Sequence, residues 1–234
     1  MGFSRGPKIV TDGLVLALDA ANSKSYPGSG TTWNDLSGNS EDFTLYNSPT
    51  FSSTTNSGIL SFDGANHYAE ANTAKVIPDT GPFSVVFAFA LTGTGGRGGI
   101  FERKTASPYN GFSLGQGGSG NWGATVSSTA TFSNGLFVTF TYPTTNVFYI
   151  DVATFNGSST LKGYRNGVLV ATDTDGTQGN LSTQGTRQNF TIARRDLAST
   201  ELPCKVASVQ VYTKELTATE VLQNYNATKS RFGL

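Results

Sequence analysis

The sequence predicts an all-β protein: a two-sheet antiparallel jelly-roll sandwich with one short helix near its C-terminus. Three observations lead there. Short apolar or alternating runs recur along the 234 residues, separated by Gly, Asn, Asp, Ser and Thr, the pattern of many strands joined by turns. Asn166-Gly167 separates two of these runs, and Asn-Gly favours a two-residue hairpin because both residues tolerate positive φ. Finally, Thr217-Ala218-Thr219-Glu220 is followed by Val221, Leu222 and Tyr225. That is a capping box leading into an apolar stripe, hence a helix over 217–228 that packs on the sandwich.

The elements follow in order. Leu14, Leu16 and Leu18 alternate on one face of a first strand. Residues 59–62 and 67–71 flank the turn Asp63-Gly64-Ala65-Asn66. Phe83, Val85, Phe87, Phe89 and Leu91 alternate with the apolar Val86, Ala88 and Ala90. A strand apolar on both faces belongs in the middle of a covered sheet. Further strands are expected over 99–103, 111–114, 122–126, 136–142, 147–155, 160–164, 168–173, 190–194 and 206–212. The polar tracts 52–57 and 115–120 read as loops, and the WNDLSGN segment around Trp33 reads as structural, with Asp35 and Ser37 binding local backbone amides.

Composition bounds the function. Hydrophobic residues at 37% and aromatics at 12% can fill a core, which excludes global disorder. Lys+Arg and Asp+Glu stand at 16 each, a formal net charge of zero. A nucleic-acid partner wants a basic surplus, and Arg194 and Arg195, being adjacent, would point to opposite faces of a strand. Cys204 is the single cysteine and His67 the single histidine. No internal disulfide is possible, folding in a reducing cytoplasm is expected, and Cys204 reads as a small buried hydrophobe. The opening MGFSRGPKIV lacks the apolar core of a secretory signal. Met1-Gly2 resembles a myristoylation start, but Gly6 stands where Ser or Thr is required. No apolar run reaches membrane-spanning length, so no membrane partner is expected.

Three segments carry a family resemblance. GLVLALDAAN, WNDLSGN and ILSFDGANHY make the first; LKGYRNGVLVATD the second; KVASVQVYTKELTATEVLQNYNATKSRFGL the third. Together they resemble laminin-G-like domains of the concanavalin A-like lectin/glucanase fold. The likeness runs from Gly13 to the C-terminus, so residues 13–234 are expected to form the domain and residues 1–12 an N-terminal segment for particle attachment. One departure is Cys204, which stands where the family often has Gly two residues before the closing strand. The opening MGFSRGPKIVTDGL and the ending YNATKSRFGL resemble versions in particle proteins of tailed bacteriophages, especially aquatic ones. The resemblance implies a non-enzymatic structural or adhesive virion protein, such as a capsid decoration, head fibre or tail-associated protein. It would be made in the host cytoplasm, would contact other virion proteins as a homo-oligomer, and would bind host-surface glycans. A free carbohydrate-binding lectin module is the alternative reading, and a glucanase-type hydrolase the third.

The residues rank these. Glucanases of this fold place acids on one strand in an E-x-D-x-E pattern, which alternation brings to one face. The six Glu (Glu41, Glu70, Glu102, Glu201, Glu215 and Glu220) include no such arrangement, so no catalytic residue is assigned. Asp173 and Asp175 in TDTDGTQGN are candidate calcium ligands, against the plain reading that Asp and Gly build a turn. Tyr109, after Pro108, and Trp122, after the glycine-rich GQGGSGN tract, are candidate sugar platforms, with burial at strand starts as the competing reading.

Overall fold

The computed structural model describes residues 7–73, 76–95, 98–103, 111–116, 120–128, 135–179, 181, 189–195 and 201–234. Among them, the strands in chain order are β1 (Leu14–Asp19), β2 (Thr32–Trp33), β3 (Phe43–Tyr46), β4 (Thr50–Ser52), β5 (Ile59–Asp63), β6 (Tyr68–Ala71), β7 (Phe83–Leu91) and β8 (Gly98–Arg103). They continue with β9 (Gly111–Gln116), β10 (Trp122–Ser127), β11 (Leu136–Thr139), β12 (Phe148–Phe155), β13 (Leu161–Arg165), β14 (Val168–Asp173), β15 (Phe190–Ile192) and β16 (Pro203–Tyr212), and helix α1 (Ala218–Thr228) follows.

The strands make two antiparallel sheets of eight. The first runs β14-β13-β12-β7-β16-β5-β4, with β1 also on β16; the second runs β11-β10-β9-β8-β15-β6-β3-β2. The two-sheet sandwich with one short helix is the fold the sequence predicts. Strand β7 lies between β12 and β16, and all nine of its residues are buried. Its inward Phe83, Val85, Phe87, Phe89 and Leu91 join the core between the sheets, and its outward Val86, Ala88 and Ala90 join a second cluster on the far side of the first sheet. Each fully buried Phe contributes about 1.5–3 kcal/mol. On one side of β16, β5 pairs with Pro203–Val206 and β1 with Ser208–Tyr212, the change of partner falling at a bulge between Val206 and Ser208.

What covers the outer face of the first sheet is the C-terminus. Thr217 caps α1: its Oγ1 accepts from the Glu220 amide at 3.2 Å and its own amide donates to Glu220 Oε2 at 2.9 Å. The helix buries Val221 against the second cluster, and Tyr225, Phe232 and Leu234 pack on its margin. The opposite end of the chain joins the same layer. The Val10 amide donates to Asn224 Oδ1 at 2.7 Å, the Tyr212 hydroxyl donates to the Val10 carbonyl at 3.0 Å, and Asn224 Nδ2 donates to the Tyr212 oxygen at 3.0 Å. Gln223 Nε2 holds the Lys8 carbonyl at 2.9 Å. Lys8 and Val10 are thus held to α1 by its side chains, and Asp12 is held by Lys214 Nζ at 2.7 Å.

Three strands escape the sequence pattern: β2, β3 and β4 lie in the polar stretch 32–52. The strand expected over 136–142 leaves its ladder at Thr139. Cys204 sits inside β16, fully buried, and burial pushes its thiol well above the ordinary range. Asp35 Oδ1 does accept the local amide of Ser37 at 2.9 Å, and it also accepts that of Ala17, 18 residues away on β1, at 2.8 Å.

Candidate functional site

The two sheets present different outer faces. On the first, outward Val86, Ala88, Ala90, Ile150 and Val152 are buried beneath the termini. On the second, the outward positions Thr44, Tyr46, Tyr68, Glu70, Ser113, Thr125, Thr191, Phe137 and Thr139 are half-buried or exposed. Strand register lines several of them up. Thr44 pairs with Glu70 and Glu70 with Thr191, while Tyr46 pairs with Tyr68 one pleat repeat away.

At that corner the side chains form a layered group. The Tyr46 and Tyr68 rings stack with centroids 4.5 Å apart and planes 6° from parallel. The Arg194 guanidinium lies 4.3 Å from the Tyr68 ring centre on its way out of β15. Arg194 is itself steadied by Glu201, Nε to Oε1 at 3.7 Å. Glu70 lies beside the stack, its Oε1 accepting from Asn189 Nδ2 at 2.7 Å. Thr44 Oγ1 donates to Asn72 Oδ1 at 2.7 Å. Burial raises the Tyr68 phenol above its ordinary value, against the pull of Arg194, so it is a neutral hydroxyl at physiological pH. Tyr46, 38% exposed, closes the stack on the solvent side. A rigid aromatic face beside a carboxylate, carboxamides and hydroxyls offers apolar contact and directional hydrogen bonds together.

A face of this composition suits noncovalent contact. Among the described strands of this sheet, Glu70 is the one acidic residue at an outward position, whereas glycoside hydrolysis needs a facing pair.

The residues singled out from sequence fall elsewhere. Trp122 is no surface platform: it is 1% exposed, points inward from β10, stacks on Phe89 at 4.7 Å and donates through Nε1 to Asp151 Oδ2 at 2.8 Å. Its inward partners Ala124 and Val126 place it on the apolar side of the pleat. Tyr109 lies outside the described residues. Asp173 ends β14 in the first sheet, and its two oxygens hold the amides of Asp175 and Phe137 at 2.8 and 2.6 Å. That is an Asx turn which also ties β14 to β11. Among the described residues no three of His, Cys, Asp and Glu converge as a metal-binding group.

A laminin-G-type family profile, described as concanavalin A-like lectin/glucanases superfamily, matches residues 63–222. The chain belongs to this superfamily. No curated protein sequence matches it. Solved structures place the superfamily domain beside toxin binding domains. The binding domain of Paraclostridial Mosquitocidal Protein 1 superposes with a TM-score of 0.69 at 13% identity, covering 93% of this chain and 52% of that one. The binding domain of botulinum neurotoxin DC, solved with rat synaptotagmin II, gives 0.69 at 16% identity, covering 94% and 52%. The ligand-binding domain of botulinum neurotoxin serotype D, solved with N-acetylneuraminic acid, gives 0.64 at 13% identity, covering 92% and 51%. At these identities the likeness is one of fold, and this chain spans about half the length of each structure.

The tyrosines of this concanavalin A-like domain were within reach of the sequence. In Phe43-Thr44-Leu45-Tyr46 and Tyr68-Ala69-Glu70-Ala71 the apolar residues alternate inward, which leaves Tyr46, Tyr68 and Glu70 on the other side. What sequence does not carry is the pairing of β3 with β6, which brings the two rings together.

Proposed function

We propose that this domain is a non-enzymatic adhesion module that binds host-surface glycans through the outer face of its second sheet, around Tyr46, Tyr68, Glu70, Asn189 and Arg194. The observation that carries the reading is the asymmetry of the sandwich: the chain's own termini cover one face, and a stacked aromatic pair with polar neighbours occupies the other. A sugar ring laid on Tyr46 would meet an apolar surface already rigidified by Tyr68 and Arg194, with Glu70 and the carboxamides at hydrogen-bonding range of its hydroxyls. Pre-organisation of this kind lowers the entropy cost of binding.

We further infer display on a tailed-bacteriophage particle, as a capsid decoration, head fibre or tail-associated protein. The support is the resemblance of the opening and closing segments to particle proteins, together with a fold that needs no disulfide. Residues 1–12 would be the tether, rooted on α1 through Lys8 and Val10. Electron microscopy of intact particles from an infected culture, with an antibody against this chain, tests the placement. Labelled particles are the expected result, and label found only in free protein would replace this reading with a free lectin module.

A further inference from the structure

We infer, building on the recognition face proposed above, that the sugar bound there is an uncharged hexose, seated as the next rung of the tyrosine stack in an open position between Tyr46 and Gly30. Neighbouring strands in this part of the second sheet run β15-β6-β3-β2. Arg194 follows β15, Tyr68 belongs to β6 and Tyr46 to β3. Guanidinium, ring and ring therefore form a ladder across the strands, with 4.3 Å and 4.5 Å between rungs. The far face of Tyr46 looks toward the segment that leads into β2. There Thr32 pairs with Thr44, and the Leu45 amide donates to the Thr31 carbonyl at 2.7 Å. That register sets residue 30 opposite Tyr46, and residue 30 is glycine.

The rung beyond Tyr46 is thus missing its side chain. Gly30 takes φ of +94°, and a Cβ built on it would meet nothing within 4 Å. Residues 29–32 are all exposed. An open aromatic face held rigid from behind suits the apolar side of a pyranose ring, provided that hydroxyl partners stand beside it. Thr44 and Thr32 lie one pleat repeat away. Thr44 Oγ1 gives its proton to Asn72 Oδ1, which leaves its lone pairs to accept from a sugar hydroxyl. The Thr32 hydroxyl has no hydrogen bond among the described residues, so it can both donate and accept.

Charge decides which sugars fit. Residues 29–32 and Thr44 carry none. Farther along the same side of the sheet are three carboxylates. Glu70 pairs with Thr44 and accepts from Asn189, Asp42 Oδ1 accepts the Asp35 amide at 2.8 Å, and Glu41 accepts from the Thr73 hydroxyl. Among the described residues none of the three has an ion-pair partner. Arg194, the cation of the ladder, lies behind Tyr68 and is paired with Glu201. The field over the open position is negative. Counted in strand spacings and pleat repeats, the carboxylates stand on the order of 10 Å from it. Three like charges at that range disfavour an anion about tenfold in water, whereas a neutral hexose feels no such penalty.

Titration of the full chain, followed by NMR, tests the proposal with methyl galactoside, methyl glucoside and methyl mannoside against glucuronic acid and N-acetylneuraminic acid. At least one neutral glycoside should bind, and both acids should bind about tenfold more weakly at low salt, the gap narrowing as salt is added. Gly30→Asn fills the open position with a residue that tolerates positive φ. It should weaken the neutral glycoside about tenfold or more while melting like wild type. Should that variant fail to fold, Thr44→Val removes the acceptor at nearly constant shape and should cost about three- to tenfold. Acids bound as tightly as the neutral glycosides, or a folded Gly30→Asn with wild-type affinity, overturn the proposal. The recognition face itself still stands in either case if Tyr46→Ala abolishes binding. If wild type binds none of the five probes and no glycan on an array, or if binding survives Tyr46→Ala, the face fails and this proposal falls with it.

Discussion

Asp151 takes a carboxylate into the space between the sheets, fully buried. Burial pushes its carboxyl above the usual carboxylate range, and the bonds from Arg165 and Trp122 pull against that shift. Arg165 holds it with two bonds of 2.7 Å, Nε to Oδ1 and Nη2 to Oδ2, and Nη1 reaches on to the Thr141 carbonyl. The guanidinium also lies 4.5 Å from the Tyr149 ring centre. Since Trp122 comes from the second sheet and Asp151 from the first, the trio is a polar stitch across the sandwich. Buried pairs are costly to break from one side because the remaining charge is left without its partner. Asp151→Ala should therefore lose about 3–5 kcal/mol in denaturant unfolding, and Arg165→Met added to it should cost much less than Arg165→Met alone. A loss below about 1 kcal/mol would show that water compensates the charge. The sequence marks Trp122 as an aromatic after a glycine tract, yet gives no sign of its acceptor, because Asp151 is 29 residues away on another strand.

At the scale of elements, the turn between β5 and β6 is built on one side chain. Asp63 Oδ1 accepts the amides of Ala65, Asn66 and His67 at 2.9, 3.1 and 3.0 Å. Gly64 takes φ of +74°, and a Cβ there would lie 2.7 Å from Pro203, so a non-glycine residue would meet both backbone strain and a clash. Partial burial raises the Asp63 carboxyl, but the three amides, with His67 adding to them, outweigh it and bring the value down from 3.8 to about 2. A carboxyl lowered on folding contributes stability in full above its unfolded value and loses it as pH falls through its folded value. The stability advantage of wild type over Asp63→Ala should thus be constant from neutral pH to about 4, shrink below that and be gone beneath pH 2. An advantage that stays flat to pH 2 would mean that the neutral acid serves the turn equally well. Elements of this kind are the legible ones. The Asp-Gly and Asn-Gly turns, the Thr217 capping box and the double-faced β7 all announce themselves through local chemistry. Strands β2 and β4 do not, since they are two and three residues long, too short to show an alternation, and owe their extension to their ladder partners β3 and β5.

The whole molecule is a sandwich with one face closed and one face available. The closed face is built by parts of the chain some 200 residues apart, Val10 and α1, which no local pattern connects. The available face follows from that closure, and for the same reason sequence points to single aromatics in loops, Tyr109 and Trp122, rather than to a pair made by strand register. Superfamily membership and likeness to toxin binding domains describe the fold, and the recognition face rests on this chain's own residues. The direct measurement is an array of bacterial surface oligosaccharides probed with wild type, Tyr46→Ala and Tyr68→Ala, followed by titration of the best binder. Truncating a central aromatic contact typically removes 1–2 kcal/mol or more, so each variant should bind about tenfold more weakly or worse while melting as a folded domain. Oligosaccharide binding that both variants retain at wild-type affinity, or no binding by wild type at all, would contradict the assignment of this face.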